Sequence, residues 1–292
     1  MSVVRGLIGL LLGFGIAFGS YYGLTLVLSQ ATGGVVASQP AAGHKNPPRP
    51  GTHPGPGPHK TAQESDSQGT ALIVGLVAGA LGGFYSLVAL GKGIYGFGPF
   101  SILGYLLDVS WSLLNSVAAL VWVLVCMIAG SNSLDPDDDS KRSGTFVYAT
   151  NPRGGGYAAT TIGTTIAGGW SSHEETHVWQ ARIFGPLYMP MYVVSLALNM
   201  LFRVVTGKIE DIGMQAYYRI CFEDWAYAAG KTSGDDINWG FWFLWFFLST
   251  LYVSFPVLMV VGFAAKMIVL GIVATVGLVT YSLIRAFLPS PQ

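Results

Sequence analysis

From Gly6 to Leu28 the chain runs without a single charged side chain, and this run constrains the fold more than any other feature. A helix crosses a hydrocarbon layer about 30 Å thick with roughly 20 apolar residues, each rising 1.5 Å. Met1 to Arg5, just before it, resembles a signal-peptide n-region. The apolar run exceeds the roughly 7–15 residues of an h-region, and no convincing cleavage site follows at once. We read residues 1–28 as a retained membrane anchor. Further apolar stretches cover Ala71 to Leu90, Leu113 to Ala129 and Pro186 to Phe202. The block from Trp239 to Phe287 is too long for one crossing and divides best near Gly262 to Lys266. Trp239, Trp242 and Trp245 open that block where an aromatic belt would sit. The expected fold is mainly α: a polytopic integral membrane helical bundle of five or six spans, with the lipid bilayer as an obligatory partner.

Composition agrees. Charged residues make up 10% of the chain and hydrophobic ones 51%, whereas a soluble domain carries about a quarter charged. Lys+Arg and Asp+Glu balance at 15 each, which excludes a strongly basic nucleic-acid binder. Cys126 and Cys221 are too few and too far apart for a disulfide framework or a thiolate cluster.

Residues 29–69 differ abruptly from their surroundings. Pro47, Pro48, Pro50, Pro54, Pro56 and Pro58 alternate with Gly, Ser and Gln, a composition that buries too little surface to offset its ordering entropy. This stretch reads as a flexible linker, with His44, His53 and His59 solvated. In the first two spans Gly15, Gly19 and Gly23, then Gly75, Gly79 and Gly83, recur every fourth residue. Small residues at that spacing let helix backbones approach closely. Asp135, Asp137, Asp138 and Asp139 lack the Gly and terminal Glu of a calcium loop and read as a solvated acidic turn. Lys266 and Arg285 are expected to snorkel to the interface.

Chemistry concentrates in His173-Glu174-Glu175-Thr176-His177, an H-E-x-x-H pattern. Positions i and i+4 share a helix face, so both imidazoles can grip one ion. Zinc lowers the pKa of a bound water to about 7, and a carboxylate beside it can take the proton as the water attacks a carbonyl. Glu174 is placed for that role. Gly168 and Gly169 break the chain upstream, and Ser171 or Ser172 can cap the helix. Gly144 to Tyr148 and Tyr157 to Ile162 are the best strand candidates, a short hairpin-like segment whose edge could hold an extended peptide. With the other histidines in the linker, the third zinc ligand must be a carboxylate. Glu223, amid large apolar neighbours, is the leading candidate, since a carboxylate there is costly unless paired or metal-bound. Asp224 is the competing ligand, and an ion pair with Arg219, four residues earlier, is the bland alternative for Glu223. Asp108 reads either as a functional group or as a cap or partner of the Ser110–Asn115 turn.

The run His-Glu-x-x-His-x-x-Gln followed by Gly185-Pro186-Leu187-Tyr188 resembles a group of bacterial membrane proteins. Its members join a zinc helix and "GPLY" to an apolar segment, then to an aromatic-rich Glu-x-Trp-Ala helix, represented here by Glu223, Trp225, Ala226 and Gly230. Asp108, Trp111, Ser112 and Asn115 fit the group's D-x-x-W-S-x-x-N stretch. The resemblance covers about residues 105–231, and Tyr227 stands where an Asp is common. More distantly the order is similar to membrane gluzincins, which include CAAX prenyl proteases and heat-shock membrane proteases. It implies Zn2+ held by His173, His177 and Glu223, and a membrane-embedded metallopeptidase-like domain over residues 70–292. It further implies peptide-bond hydrolysis near a bacterial cell membrane but supplies no substrate; our own reading takes a membrane-associated or unfolded polypeptide as the substrate. The non-enzymatic alternative is a membrane scaffold with a structural or vestigial zinc helix. A transporter is disfavoured by the scarcity of charges in the spans.

Helix geometry opposes this ligand set. In an ideal antiparallel pair, His177 and Glu223 sit level only if the turn centres near residue 200. The polar break from Thr206 to Gly213 lies later, an axial mismatch of roughly 14 Å. Either Gly185-Pro186 and Pro190 bend the apolar segment into a shallow or re-entrant path, which we favour, or the zinc helix lies at membrane depth in a polar cavity.

Overall fold

The computed structural model describes residues 2–36, 59–154, 159–230, 272 and 275–285. Most of the expected C-terminal block, Lys266 included, and His44 and His53 of the linker lie outside the described residues.

Two long helices, α1 (Ser2–Val36) and α2 (His59–Lys92), pack along their length. They enter the 29–69 stretch from both sides, with His59 opening α2. The close approach is set by glycines on both helices: a Cβ at Gly13 would meet the Gly82 carbonyl at 2.4 Å, and one at Gly82 the Ala17 Cβ at 2.6 Å. Of the two expected glycine rows only the one on α2 lies in this contact, because a Cβ at Gly15, Gly19 or Gly23 would meet nothing within 4 Å among the described residues.

After α2 come α3 (Pro99–Asp108) and α4 (Leu113–Ile128), bent by 93° at the break between them. Among the described residues, three helical stretches are long and apolar enough to cross a membrane: Val3–Ser29, Gln68–Lys92 and Ser172–Val205, or up to four if α3 and α4 count as one broken span. The expected span from Leu113 to Ala129 is therefore half of a bent pair.

A helical turn, α5 (Asp138–Ser143), precedes a small sheet of β1 (Phe146–Tyr148), β2 (Thr160–Ile162) and β3 (Thr165–Ala167) in the order β1-β3-β2. β2 pairs antiparallel with β3, and β1 runs parallel to it. The two expected strands are thus not each other's partners; a third, too short to notice in the sequence, lies between them. The acidic run is a helix cap rather than only a solvated turn. The Asp137 side chain accepts from the Ser140 backbone N–H at 2.7 Å, while Lys141 and Arg142 occupy the last turn.

The chain continues through α6 (Ser172–Phe184), a 3-10 turn (Gly185–Leu187), α7 (Tyr188–Val205), α8 (Ile212–Tyr217) and α9 (Cys221–Ala229). Pro190 sits in the first turn of α7, where its missing N–H costs no helical bond. One core joins Phe184, Tyr188, Met191, Ile220 and Phe222 to Leu278 and Tyr281 of the helical segment 275–285. A second joins Tyr85, Ala89, Val109 and Val123 to Phe146, Tyr148 and Ala167 of the sheet. Arg285 does not snorkel. It is buried and pairs with Asp224, Nε to Oδ2 at 2.8 Å, because a carboxylate inside the bundle offers the ion pair that the interface would otherwise supply.

Candidate metal centre

α6 starts where the sequence allows little else. Gly168 and Gly169 take φ of 106° and 94°, and Ser171 caps the helix by accepting the Glu174 N–H at 3.2 Å. His173 and His177 then fall on one face, their Nε2 atoms 3.2 Å apart. Glu223, in the first turn of α9, lies across from them. His173 Nε2 is 3.5 Å from Oε2, and His177 Nε2 is 3.5 Å from Oε1. The sequence-predicted ligands are therefore brought together, and the ligating atoms of all three fall within 4.8 Å of one another.

Glu174 lines a cavity of about 190 Å³ with His177 and Glu223, and its Oε2 accepts from the Thr161 hydroxyl of β2 at 2.5 Å. Asp224 points elsewhere, to Arg285 and the Tyr281 hydroxyl. Arg219 donates to the Arg285 carbonyl, and the alternative surface pair with Glu223 does not form.

The donor set suits zinc. Two ligand atoms about 2.0–2.1 Å from a tetrahedral zinc lie roughly 3.3 Å apart, close to the three separations of 3.2, 3.5 and 3.5 Å. Glu223 is 98% buried, yet Oε2 has no hydrogen-bond partner among the described residues. Such a lone pair is costly without a cation. Burial pushes the Glu223 carboxyl up, but the two imidazoles and the Tyr192 hydroxyl outweigh it and hold the group well below the usual carboxylate range.

The surrounding groups prepare the donors. Gln180 Nε2 donates to the Phe222 carbonyl at 2.9 Å, so its Oε1 must be the atom facing His177 Nδ1, also at 2.9 Å. An amide oxygen only accepts. His177 therefore carries its proton on Nδ1 and presents the Nε2 lone pair to the site. The Tyr227 ring packs against His173 with centroids 4.4 Å apart. Tyr192 donates to Glu223 Oε1 at 2.6 Å, and Tyr188 lies against His177 Nδ1 at 3.4 Å. Burial, then the Glu223 charge, push the Tyr217 and Tyr227 hydroxyls up, so both remain protonated. Tyr217 lines the cavity and Tyr218 is not among its lining residues. Sequence reasoning missed Tyr188 and Tyr192; their four-residue spacing at the start of α7, one face of a helix, was the available signal.

Two bends remove the axial mismatch. A straight helix from His177 to Tyr192 would rise about 22 Å, too far for two side chains to meet at one carboxylate. Gly185, at φ 53° and ψ −131°, turns the axis instead, and a Cβ there would sit 2.3 Å from the Trp111 indole. On the return, extended Ile220 separates α8 from α9. Asn199 of α7 ties down that corner by donating to the carbonyls of Ala216 and Arg219.

The turn between α3 and α4 holds the far end of α6. Asp108 receives three contacts of 2.6–3.1 Å from the Arg182 guanidinium, both side chains fully buried, while its backbone carbonyl accepts from Ser116. Its carboxylate is thus neither a cap nor a member of the site. Trp111 donates to the Ile183 carbonyl, Ser112 to Ala181, and Asn115 to Ala181 and Gly185. Of the D-x-x-W-S-x-x-N residues, Trp111, Ser112 and Asn115 cap the C-terminus of the helix that carries both histidines, and Asp108 holds Arg182 in its last turn.

Comparison with protein-family profiles, with curated proteins and with solved structures returned no match to this chain.

Proposed function

We propose that the protein is a zinc-dependent integral membrane endopeptidase. One observation carries this reading: two imidazole nitrogens and a buried carboxylate form a triangle of 3.2, 3.5 and 3.5 Å edges, with the Glu174 carboxylate on the same cavity. His173, His177 and Glu223 hold Zn2+, which supplies a water acidified to about pKa 7 and an electrophile for a carbonyl. Glu174 accepts a proton within the cavity and returns it to the leaving amine, with Thr161 fixing its carboxylate. Tyr217 presents a protonated hydroxyl to the same space, where charge develops on the carbonyl oxygen, while the Tyr192 hydroxyl is committed to the Glu223 ligand. The substrate is a membrane-associated or unfolded polypeptide, laid along β2. A two-residue turn, Gly163-Thr164, joins β2 to β3. In such a hairpin the next residue, Thr161, directs its backbone N–H and C=O away from the partner strand, toward the cavity it lines. The resemblance to membrane gluzincins, a bacterial membrane location and five or six spans belong to the same proposal.

The test is metal content joined to activity. Purified protein is expected to carry about one zinc per chain, lost in His173→Ala and His177→Ala. Glu174→Gln is expected to keep the zinc and lose peptidase activity by two or more orders of magnitude. Zinc retained with activity unaffected by Glu174→Gln, or no activity in any variant, favours the scaffold reading.

A further inference from the structure

Among the described residues, α3 and Phe97 just before it carry an apolar face that is largely bare. Phe97 is 97% exposed and Phe100 61%, and Ile102, Leu103 and Leu106 are exposed beside them. No charged residue interrupts the sequence between Lys92 and Asp108, and Asp108 turns inward to Arg182.

Its depth can be read from neighbouring helices. α4 runs alongside α2 in the same direction: Ala78 packs with Leu113 at one end, and ten residues on in each helix Val88 and Val123 line a common cavity. A helix at 93° to α4 is therefore close to perpendicular to the candidate span Gln68–Lys92. Tyr105 of α3 donates to Ser86, and Tyr95, just before α3, bonds Tyr85 at 2.6 Å. Those α2 residues lie six or seven positions inside Lys92, about 10 Å along the axis. The bare face is also continuous with the exposed apolar side of α4 at Leu114, Val121 and Leu124.

We propose that α3 lies flat within the bilayer leaflet on the Lys92 side, with Phe97, Phe100 and Leu103 among the lipid headgroups and upper acyl chains. An uncharged helix perpendicular to a span, some 10 Å inside its end, has lipid as its neighbour on any side that protein leaves bare. Phe100 meets Trp179 edge-on and Gly104 contacts the Arg182 guanidinium, so the same anchor fixes α6 at leaflet depth. The lipid contact stands whether or not the metal centre is catalytic.

Phe97→Cys, Phe100→Cys and Leu103→Cys test this one at a time in full-length protein reconstituted into phosphatidylcholine vesicles. Leu114→Cys on α4, about 20 Å inside the Lys92 end, and Leu134→Cys in the loop after it serve as references. Cys126 and Cys221 are buried, so a spin label reports the introduced thiol. At these three positions relaxation by a water-soluble nickel chelate is expected to be lost relative to Leu134→Cys. Relaxation by oxygen is expected to be retained, at a depth between Leu134 and Leu114. Nickel relaxation equal to that at Leu134 overturns the proposal, because the face is then in water. Shielding from both reagents also overturns it, because a protein surface, such as a second copy of the chain, then covers the face. A depth equal to that of Leu114 overturns the flat placement in favour of a re-entrant span.

Discussion

Gln180 gives the most direct check on how the centre is prepared. Its amide joins the two halves of the ligand set, with Oε1 on the His177 imidazole of α6 and Nε2 on the Phe222 carbonyl beside Glu223. Gln180→Leu fills similar space but removes the acceptor behind the His177 Nδ1–H; the Phe222 carbonyl, inside α9, loses its second donor and keeps the helical bond from Ala226. One unsatisfied buried group costs about 1–3 kcal/mol. Part of this falls on folding. The rest falls on the metal, since losing the acceptor behind a ligating histidine lowers affinity about 10–100-fold. Competition between detergent-purified protein and a zinc-sensitive chelator, at fixed pH, measures the second part; thermal unfolding measures the first. Gln180→Glu separates them: it still accepts from His177 and cannot donate to Phe222, so stability falls while zinc affinity stays within a few-fold. If folded Gln180→Leu binds zinc as tightly as the unsubstituted protein, Gln180 does not set the His177 tautomer, and the reasoning fails.

Three further outcomes follow from the scaffold around the site. Asp108→Asn leaves the Arg182 charge buried without its partner and is expected to cost about 3–5 kcal/mol; unfolding in detergent reads this, and an unchanged midpoint refutes it. Gly185→Ala puts a Cβ against the Trp111 ring at a φ of 53°, and the left-handed backbone alone costs about 1–2 kcal/mol. A lowered unfolding temperature together with weakened zinc binding is expected, whereas Gly207→Ala, also left-handed but with open space around it, should lose stability alone. The Ser140 hydroxyl and backbone N–H hold the Asp137 carboxyl below its ordinary value. A group with a lowered folded pKa stabilises above the unfolded value and loses this as pH falls through the folded one. Hydrogen exchange at Ser140 should therefore accelerate only below the usual carboxylate range, and Asp137→Asn should abolish that acid dependence.

How much was legible in the sequence depended on whether a signal was local. The i, i+4 histidines, the Ser171 cap and the Gly230 stop of α9 are short-range patterns, and each stands where the pattern put it. The choice of Glu223 over Asp224 rested on apolar neighbours, and the neighbours that decided it are distant: Tyr192 on one side, Arg285 and Tyr281 on the other. β3 stayed hidden because three residues cannot show a period. Asp108 was ambiguous because its partner, Arg182, is 74 positions away. Arg285 looked like an interfacial cation for the same reason, since nothing near it in the chain announces Asp224.

The axial mismatch between His177 and Glu223 arises only if the helices are straight, and the reason they are not lies outside the site. Trp111, Ser112 and Asn115 receive the last carbonyls of α6 as a preformed set of donors. A helix capped this way ends where they stand, and Gly185 is the residue that can leave it with φ at 53° under the Trp111 ring. α7 consequently sets out at an angle that returns Tyr188 and Tyr192 to the ligands, and its Asn199 fixes the corner from which α9 approaches. The separation of the ligands in the chain is thus closed by the turn between α3 and α4. Substitutions there, 58 or more positions from any ligand in sequence, are expected to act on the metal centre by moving α7 rather than by touching it.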